Sequence, residues 1–180
     1  MQPNKLLLSA ALTLSCFLPL AQAEDWYAEG FVAGIFADGE NYAIGPDDNA
    51  ISSVGLRGGY QLTKYFSVEA EAQTGLEGDS SYALGLGEIN LHAAYGLFGK
   101  YSVPVSDRLS LHGRVGLASN EYKIESDLGG ELITTSDGFA FGVGTTFDLT
   151  DTLYLRGDLT QHNSYSADSN SVSIGAGLRF

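Results

Sequence analysis

The sequence predicts an all-β fold: an eight-stranded antiparallel up-and-down β-barrel that crosses a membrane with its strands. Three observations predict it. In residues 171–180, Val172, Ile174, Ala176, Leu178 and Phe180 fall on one face of an extended chain, and Ser173, Gly175, Gly177 and Arg179 on the other. Such a strand suits a wall with lipid outside and a polar interior. The same period-two alternation recurs upstream, with no helical stripe. The connections between alternating segments are short and long in turn, the usual asymmetry of membrane barrels.

Taken in order, the chain opens with Lys5, an apolar run from Leu6 to Leu20 and the small-x-small triplet Ala21-Gln22-Ala23. This pattern predicts a cleaved secretory signal over residues 1–23, leaving a barrel domain over 24–180. Cys16 is the only cysteine. Its surroundings, with Thr13 before it and Phe-Leu-Pro-Leu after it, do not suit lipidation. The domain beyond residue 23 therefore has no disulfide and no thiolate metal site.

Strands are predicted near 26–37, 51–62, 66–76, 88–101, 109–118, 138–149, 153–161 and 171–180. Their lengths suit a tilted crossing of about 9–11 residues. The short connections are 63–65, 102–108 and 150–152; the long ones are 38–50, 77–87, 119–137 and 162–170. In the first strand, Glu29 falls on the inner face together with Phe31 and Ile35.

Charge placement tests this register independently. Val54, Leu56, Tyr60 and Leu62, then Leu109, Leu111, Val115 and Leu117, then Phe139, Phe141, Val143, Thr145 and Phe147 form uncharged outer faces. The inner faces collect an interior charge network: Arg57, Glu69, Glu71, Arg114, Arg156, Asp158 and Arg179, with Lys100 and Asp148 on the same side. An eight-stranded barrel is just wide enough to be filled by side chains, so these charges must pair. Arg57 faces Glu69 or Glu71 across the first short turn, and Arg156 lies beside Asp158. The interior is thus expected to be plugged. His92 and His112 are expected to be interior residues paired across neighbouring strands.

With 22 acidic and 9 basic residues, the chain has a formal net charge of −13. This balance excludes a nucleic-acid partner, whose phosphates need basic residues. The first three long loops carry Asp38, Glu40, Asp47, Asp48, Glu77, Asp79, Glu121, Glu125, Asp127, Glu131 and Asp137. Lys123 is the only lysine or arginine in the four long loops. These carboxylates lack the spacing of a calcium loop, so no metal or other cofactor is expected. Tyr42, Asp47, Asp48, Tyr82, Tyr122, Glu125 and Asp127 are the candidate surface-interaction residues, because tyrosines in loops often anchor partners. Trp26, Tyr65, Phe66, Tyr101 and Phe180 read as an aromatic belt at the opposite rim.

The unit Phe147-Asp-Leu-Thr-Asp-Thr-Leu-Tyr-Leu-Arg-Gly-Asp158 and the terminal Val172 to Phe180 resemble the small outer-membrane barrels of the outer-membrane protein A, protein X and opacity-protein type. The resemblance spans Asp25 to Phe180. It implies a monomer in the outer membrane, with loops extracellular and both termini periplasmic. It also implies lipid and lipopolysaccharide around the wall, and an assembly signal formed by Val172, Ile174, Ala176, Leu178 and Phe180 for the barrel-assembly machinery. The peptidoglycan-binding domain of full-length outer-membrane protein A is not expected after Phe180.

The expected function is non-enzymatic, a structural and surface-interaction role toward host or envelope proteins. A small ion-conducting channel is the leading alternative. His162-Asn163-Ser164 resembles part of the lipid A deacylase pattern, in which histidine activates serine. Tyr165 stands where that family has asparagine, and the last strand lacks its acid. A deacylase is therefore the third reading, and no catalytic residue is assigned.

Overall fold

The structure, a computed structural model, describes residues 25–38, 51–76, 81–83, 87–125, 131–164 and 168–180. Nine strands run β1 Trp26–Asp38, β2 Ile51–Gln61, β3 Phe66–Gly75, β4 Ser81–Ala83, β5 Gly87–Pro104, β6 Leu109–Glu125, β7 Glu131–Asp148, β8 Leu153–Ser164 and β9 Asp168–Arg179. All pairings are antiparallel, in the order β3-β2-β1-β9-β8-β7-β6-β5-β4. A β3–β5 ladder joins the two ends, so eight strands form a closed wall and β4 is a short addition on β5. Closure satisfies the backbone donors and acceptors that hydrocarbon would leave unpaired.

The predicted faces are those of the structure. Leu111, Val115, Leu117, Phe139, Phe141, Val143, Leu159, Val172 and Ile174 are exposed on the outer wall. Glu29, Phe31 and Ile35 are buried together on the inner face of β1. At the short-turn end, Trp26 packs on Tyr60 and Tyr65 on Tyr101, with ring centroids 5.0 and 6.1 Å apart. Aromatic rings of this kind suit the boundary between apolar lipid and water.

One device makes all three short turns. Thr63 Oγ1 accepts from the backbone N–H groups of Tyr65 and Phe66, at 3.3 and 3.0 Å. Ser106 Oγ does the same for Arg108 and Leu109, and Thr150 Oγ1 for Thr152 and Leu153. A hydroxyl placed two and three residues before these donors mimics a backbone acceptor and fixes the reversal.

The structure corrects the boundaries at the other end. Residues 119–137 are not one loop: β6 continues to Glu125 and β7 begins at Glu131, and they stay paired to Glu125↔Glu131. With 17 and 18 residues, β6 and β7 exceed the roughly 9–11 residues of a crossing. Their extra length stands beyond the apolar band. On β5 a register shift between Leu91 and Ala93 exposes His92, which therefore is not an interior residue.

Interior packing depends on glycine where inward rings cross a neighbouring strand, as near the turn end. A Cβ on Gly59 would overlap the Tyr27 ring, and one on Gly177 the Tyr154 ring. Gly59→Ala is expected to cost about 1–3 kcal/mol through overpacking. Urea unfolding in lipid vesicles measures it. In a Tyr27→Ala background most of that cost should vanish, because the coupling is between that ring and that Cβ.

Candidate functional site

The barrel interior has three levels. At the turn end, Tyr27 and Tyr154 meet edge to face, with centroids 6.4 Å apart. Lys100 Nζ lies 4.4 Å from the centre of the Tyr27 ring. At the loop end, Ile35, Ile51, Leu91 and Ala94 form an apolar cluster against which Tyr122 packs. Between them lies the charge network.

Alternation puts one or two charges from each of β1, β2, β3, β5, β6 and β8 on the inner face, and closure brings them together. Arg57 reaches Glu29 at 2.5 Å, Glu71 at 2.9 Å and Asp158 at 3.3 Å. Arg156 holds Glu69 at 2.6 Å and Asp158 at 2.8 Å. Arg114 bonds Glu71 at 2.7 Å and donates to Thr160 Oγ1 at 2.8 Å. Lys100 closes on Glu69 at 2.7 Å. Tyr27 donates to Glu69 at 2.5 Å, and Tyr154 to Glu29 at 3.3 Å. His112 Nε2 meets Asp158 Oδ1 at 2.7 Å. All of these side chains are buried.

Four bases, Arg57, Lys100, Arg114 and Arg156, thus face four carboxylates, Glu29, Glu69, Glu71 and Asp158. Burying each ion alone would cost several kcal/mol, and only mutual pairing with added hydrogen bonds offsets it. In this layer each base lies within 3 Å of a carboxylate, and each carboxylate within 3 Å of a base. Arg57 and Arg114 also lie over the Phe31 and Phe98 rings, at 4.7 and 4.2 Å.

The six predicted network residues Arg57, Glu69, Glu71, Arg114, Arg156 and Asp158 meet in this layer. Arg179 does not. It sits at the turn-end rim, partly exposed, 2.8 Å from Asp148 and over the Tyr154 ring. Sequence reasoning left Glu29 and Lys100 out of the network, although both had been placed inward. It also paired His112 with a neighbouring strand, whereas its partner Asp158 lies on β8, beyond β7. Nothing in the linear pattern identifies a partner across the lumen.

Val172, Ile174 and Leu178 are exposed on the outer face of β9, with Ala176 between them. Phe180 follows the strand and its N–H donates to Trp26 O at 2.9 Å. Among the candidate interaction residues, Tyr122 is corrected: it lies in β6 and turns inward onto the apolar cluster, so it is no loop anchor. Tyr82 lies in β4 and Glu125 ends β6. Tyr42, Asp47, Asp48, Asp127 and the predicted signal over 1–23 lie outside the described residues.

His162 and Ser164 each have a hydroxyl partner on a neighbouring strand. His162 Nε2 faces Ser171 Oγ at 3.4 Å, Ser164 Oγ lies against Ser136 Oγ, and Asp168 accepts the backbone N–H of Ser164 at 3.2 Å. A base–nucleophile contact with an orienting acid is what the chemistry needs. Among the described residues no cluster of three or more metal-ligating side chains occurs.

Comparison with known proteins agrees with this geometry. No curated protein matches the chain. Among solved structures, Ail, the attachment invasion locus protein of Yersinia pestis, is similar with a TM-score of 0.64 at 16% identity, over 87% of this chain and 99% of that one. The outer membrane protein OprG from Pseudomonas aeruginosa gives 0.63 at 14% identity, over 88% and 96%. Neisserial surface protein A gives 0.63 at 15%, over 86% and 97%. At these identities the likeness is one of fold. The family model of the outer membrane protein beta-barrel domain matches residues 7–180, and the chain accordingly belongs to that family of outer-membrane barrels.

Proposed function

We propose that the protein is a non-enzymatic outer-membrane scaffold that binds partner proteins at the cell surface, with its loop end extracellular and both termini periplasmic. The observation that carries this reading is the extension of β5, β6 and β7 beyond the apolar band. Pairing of β7 with β8 begins only at Gly138↔Ser164, so among the described residues Glu131–Asp137 is paired on one side alone. A strand ladder beyond the lipid with one edge unpaired among the described residues offers main-chain hydrogen bonds to an extended segment.

Charge selects the partner. A second Ail structure is described as a complex with the heparin analogue sucrose octasulfate. Residues 38–50, 77–87, 119–137 and 162–170 together carry many carboxylates and a single lysine, Lys123, so a basic protein segment suits this end better than a polyanion. The balanced plug supports a scaffold over a channel.

The test compares cells carrying the intact chain with cells in which residues 120–136 are replaced by a tight turn. Attachment and serum survival should fall with the shortened hairpin, and planar bilayers should show at most small, intermittent conductance. Large, long-lived conductance would favour a channel. Unchanged attachment and survival, combined with a deacylated lipid A product that His162→Ala abolishes, would favour the enzyme.

A further inference from the structure

One sector of the interior, between β6 and β8, carries polar atoms that the protein itself does not satisfy. β7 separates these two strands, and its inner face is bare there. His112 pairs with Gly144 and Gly144 with Asp158; Arg114 pairs with Gly142 and Gly142 with Thr160; Ala140 pairs with His162. Side chains of β6 therefore cross β7 to reach β8. His112 Nε2 meets Asp158 Oδ1 at 2.7 Å, and Arg114 Nη2 donates to Thr160 Oγ1 at 2.8 Å. A Cβ on Gly144 would lie 2.7 Å from Asp158 Oδ1, so the crossing needs the bare strand.

The crossing leaves three nitrogens over. His112 Nδ1, Arg114 Nε and His162 Nδ1 are buried without a hydrogen-bond partner among the described residues. Their side chains belong to residues only 5%, 5% and 7% exposed, so bulk solvent does not serve them. Arg114 Nε stands 4.0 Å from Asp158 Oδ1, beyond hydrogen-bond reach. A buried donor or acceptor left unpaired costs more than a typical hydrogen bond contributes.

We propose that this sector binds ordered water, held as a fixed part of the barrel interior. Three features select water over an ion. Arg114 Nε can only donate, whereas Nδ1 of a neutral His112, whose Nε2 donates to Asp158, can only accept; water does both. The surrounding layer balances four bases against four carboxylates, so an added ion would leave a buried charge uncompensated. A metal ion needs several converging ligands, and no cluster of three or more metal-ligating side chains occurs among the described residues. A buried water commonly makes about three hydrogen bonds, and Thr160 Oγ1, Ser171 Oγ and the Asp158 carboxylate stand beside these nitrogens to complete them. The inference is independent of the surface-binding role.

The test is a crystal structure of the full folded chain at a resolution that shows ordered water, with crystals grown in sodium chloride and in sodium bromide. Density within about 3.2 Å of each of the three nitrogens, the same in both salts, is the expected result. His162→Phe should lose the peak beside residue 162 and keep those beside His112 and Arg114. Solid-state NMR of the wild-type chain in vesicles gives a second reading that needs no variant. Magnetisation from water should reach the three nitrogens but not the methyl groups of Ile35, and more slowly than it reaches exposed Thr135. Absence of both density and transfer would overturn the proposal. An anomalous bromide peak at these atoms would overturn it in favour of an anion. Transfer as fast as at Thr135 would overturn it in favour of a hydrated path through the barrel.

Discussion

Arg156→Ala is expected to destabilise the barrel by about 3–5 kcal/mol, the largest effect of any single interior substitution. The guanidinium is fully buried and bonds Glu69 and Asp158, with Glu29 at 3.7 Å. Its removal leaves carboxylates in a packed, water-poor interior with an excess negative charge. Lys100 still faces Glu69, and Arg57 and His112 still face Asp158, so the loss is partial neutralisation at two sites. Urea titration of the chain folded in vesicles reads the difference. Arg156→Met combined with Glu69→Gln should recover much of it, since a neutral pair of similar volume avoids the unpaired charge. A loss below about 1 kcal/mol for Arg156→Ala would mean that water reaches the layer and screens it.

Val143→Arg is the second large effect, about 2–4 kcal/mol, because Val143 points outward near the middle of the apolar run Phe139–Leu149. Ile133→Arg supplies the control. Ile133 is also outward and 57% exposed, but it stands ten residues nearer the loop end, on the projecting part of β7. It should cost less than about 1 kcal/mol. Equal costs at the two sites would place the hydrocarbon elsewhere. Single cysteines at positions 114 and 115 add a direct reading, with a lipid-phase probe labelling 115 and sparing 114.

How much of this was legible depends on what enforced each feature. Lipid enforces alternation, so the outer faces of β2, β6, β7 and β9 could be read residue by residue. Beyond the lipid that pressure ends. Asn120 and Glu121 on β6, and Thr134 and Thr135 on β7, put polar residues on both faces of their strands, and a ladder that runs through them looks like a loop in sequence. The bulge before Ala93 shifted His92 outward without leaving a glycine or proline to announce it. Contacts local in sequence were legible: Arg57 with Glu71 across one turn, and Arg156 with Asp158 along one strand. Those made across the closed barrel, such as Arg57 with Asp158 and Arg156 with Glu69, were not, because alternation fixes a face but not a partner. A readable signal was passed over in the turns. Leu62-Thr-Lys-Tyr-Phe66, Val105-Ser-Asp-Arg-Leu109 and Leu149-Thr-Asp-Thr-Leu153 share an apolar residue, a hydroxyl and a second apolar residue at fixed spacing.

The ladder between β1 and β9 sets the order of events in forming the wall. Every other pairing in the closed wall joins strands that are neighbours in sequence, apart from the small detour of β4. Tyr27 must find Arg179, and Asp38 must find Asp168, after all the intervening chain has been synthesised and delivered. The hairpins can form early, but this last seam carries the highest sequence separation and the largest loop-closure cost. Until it forms, β1 and β9 are both bare edges open to another chain. Assembly therefore has one irreducibly late step, and a helper that shields those two edges would guard the interval in which the molecule is most prone to misjoin.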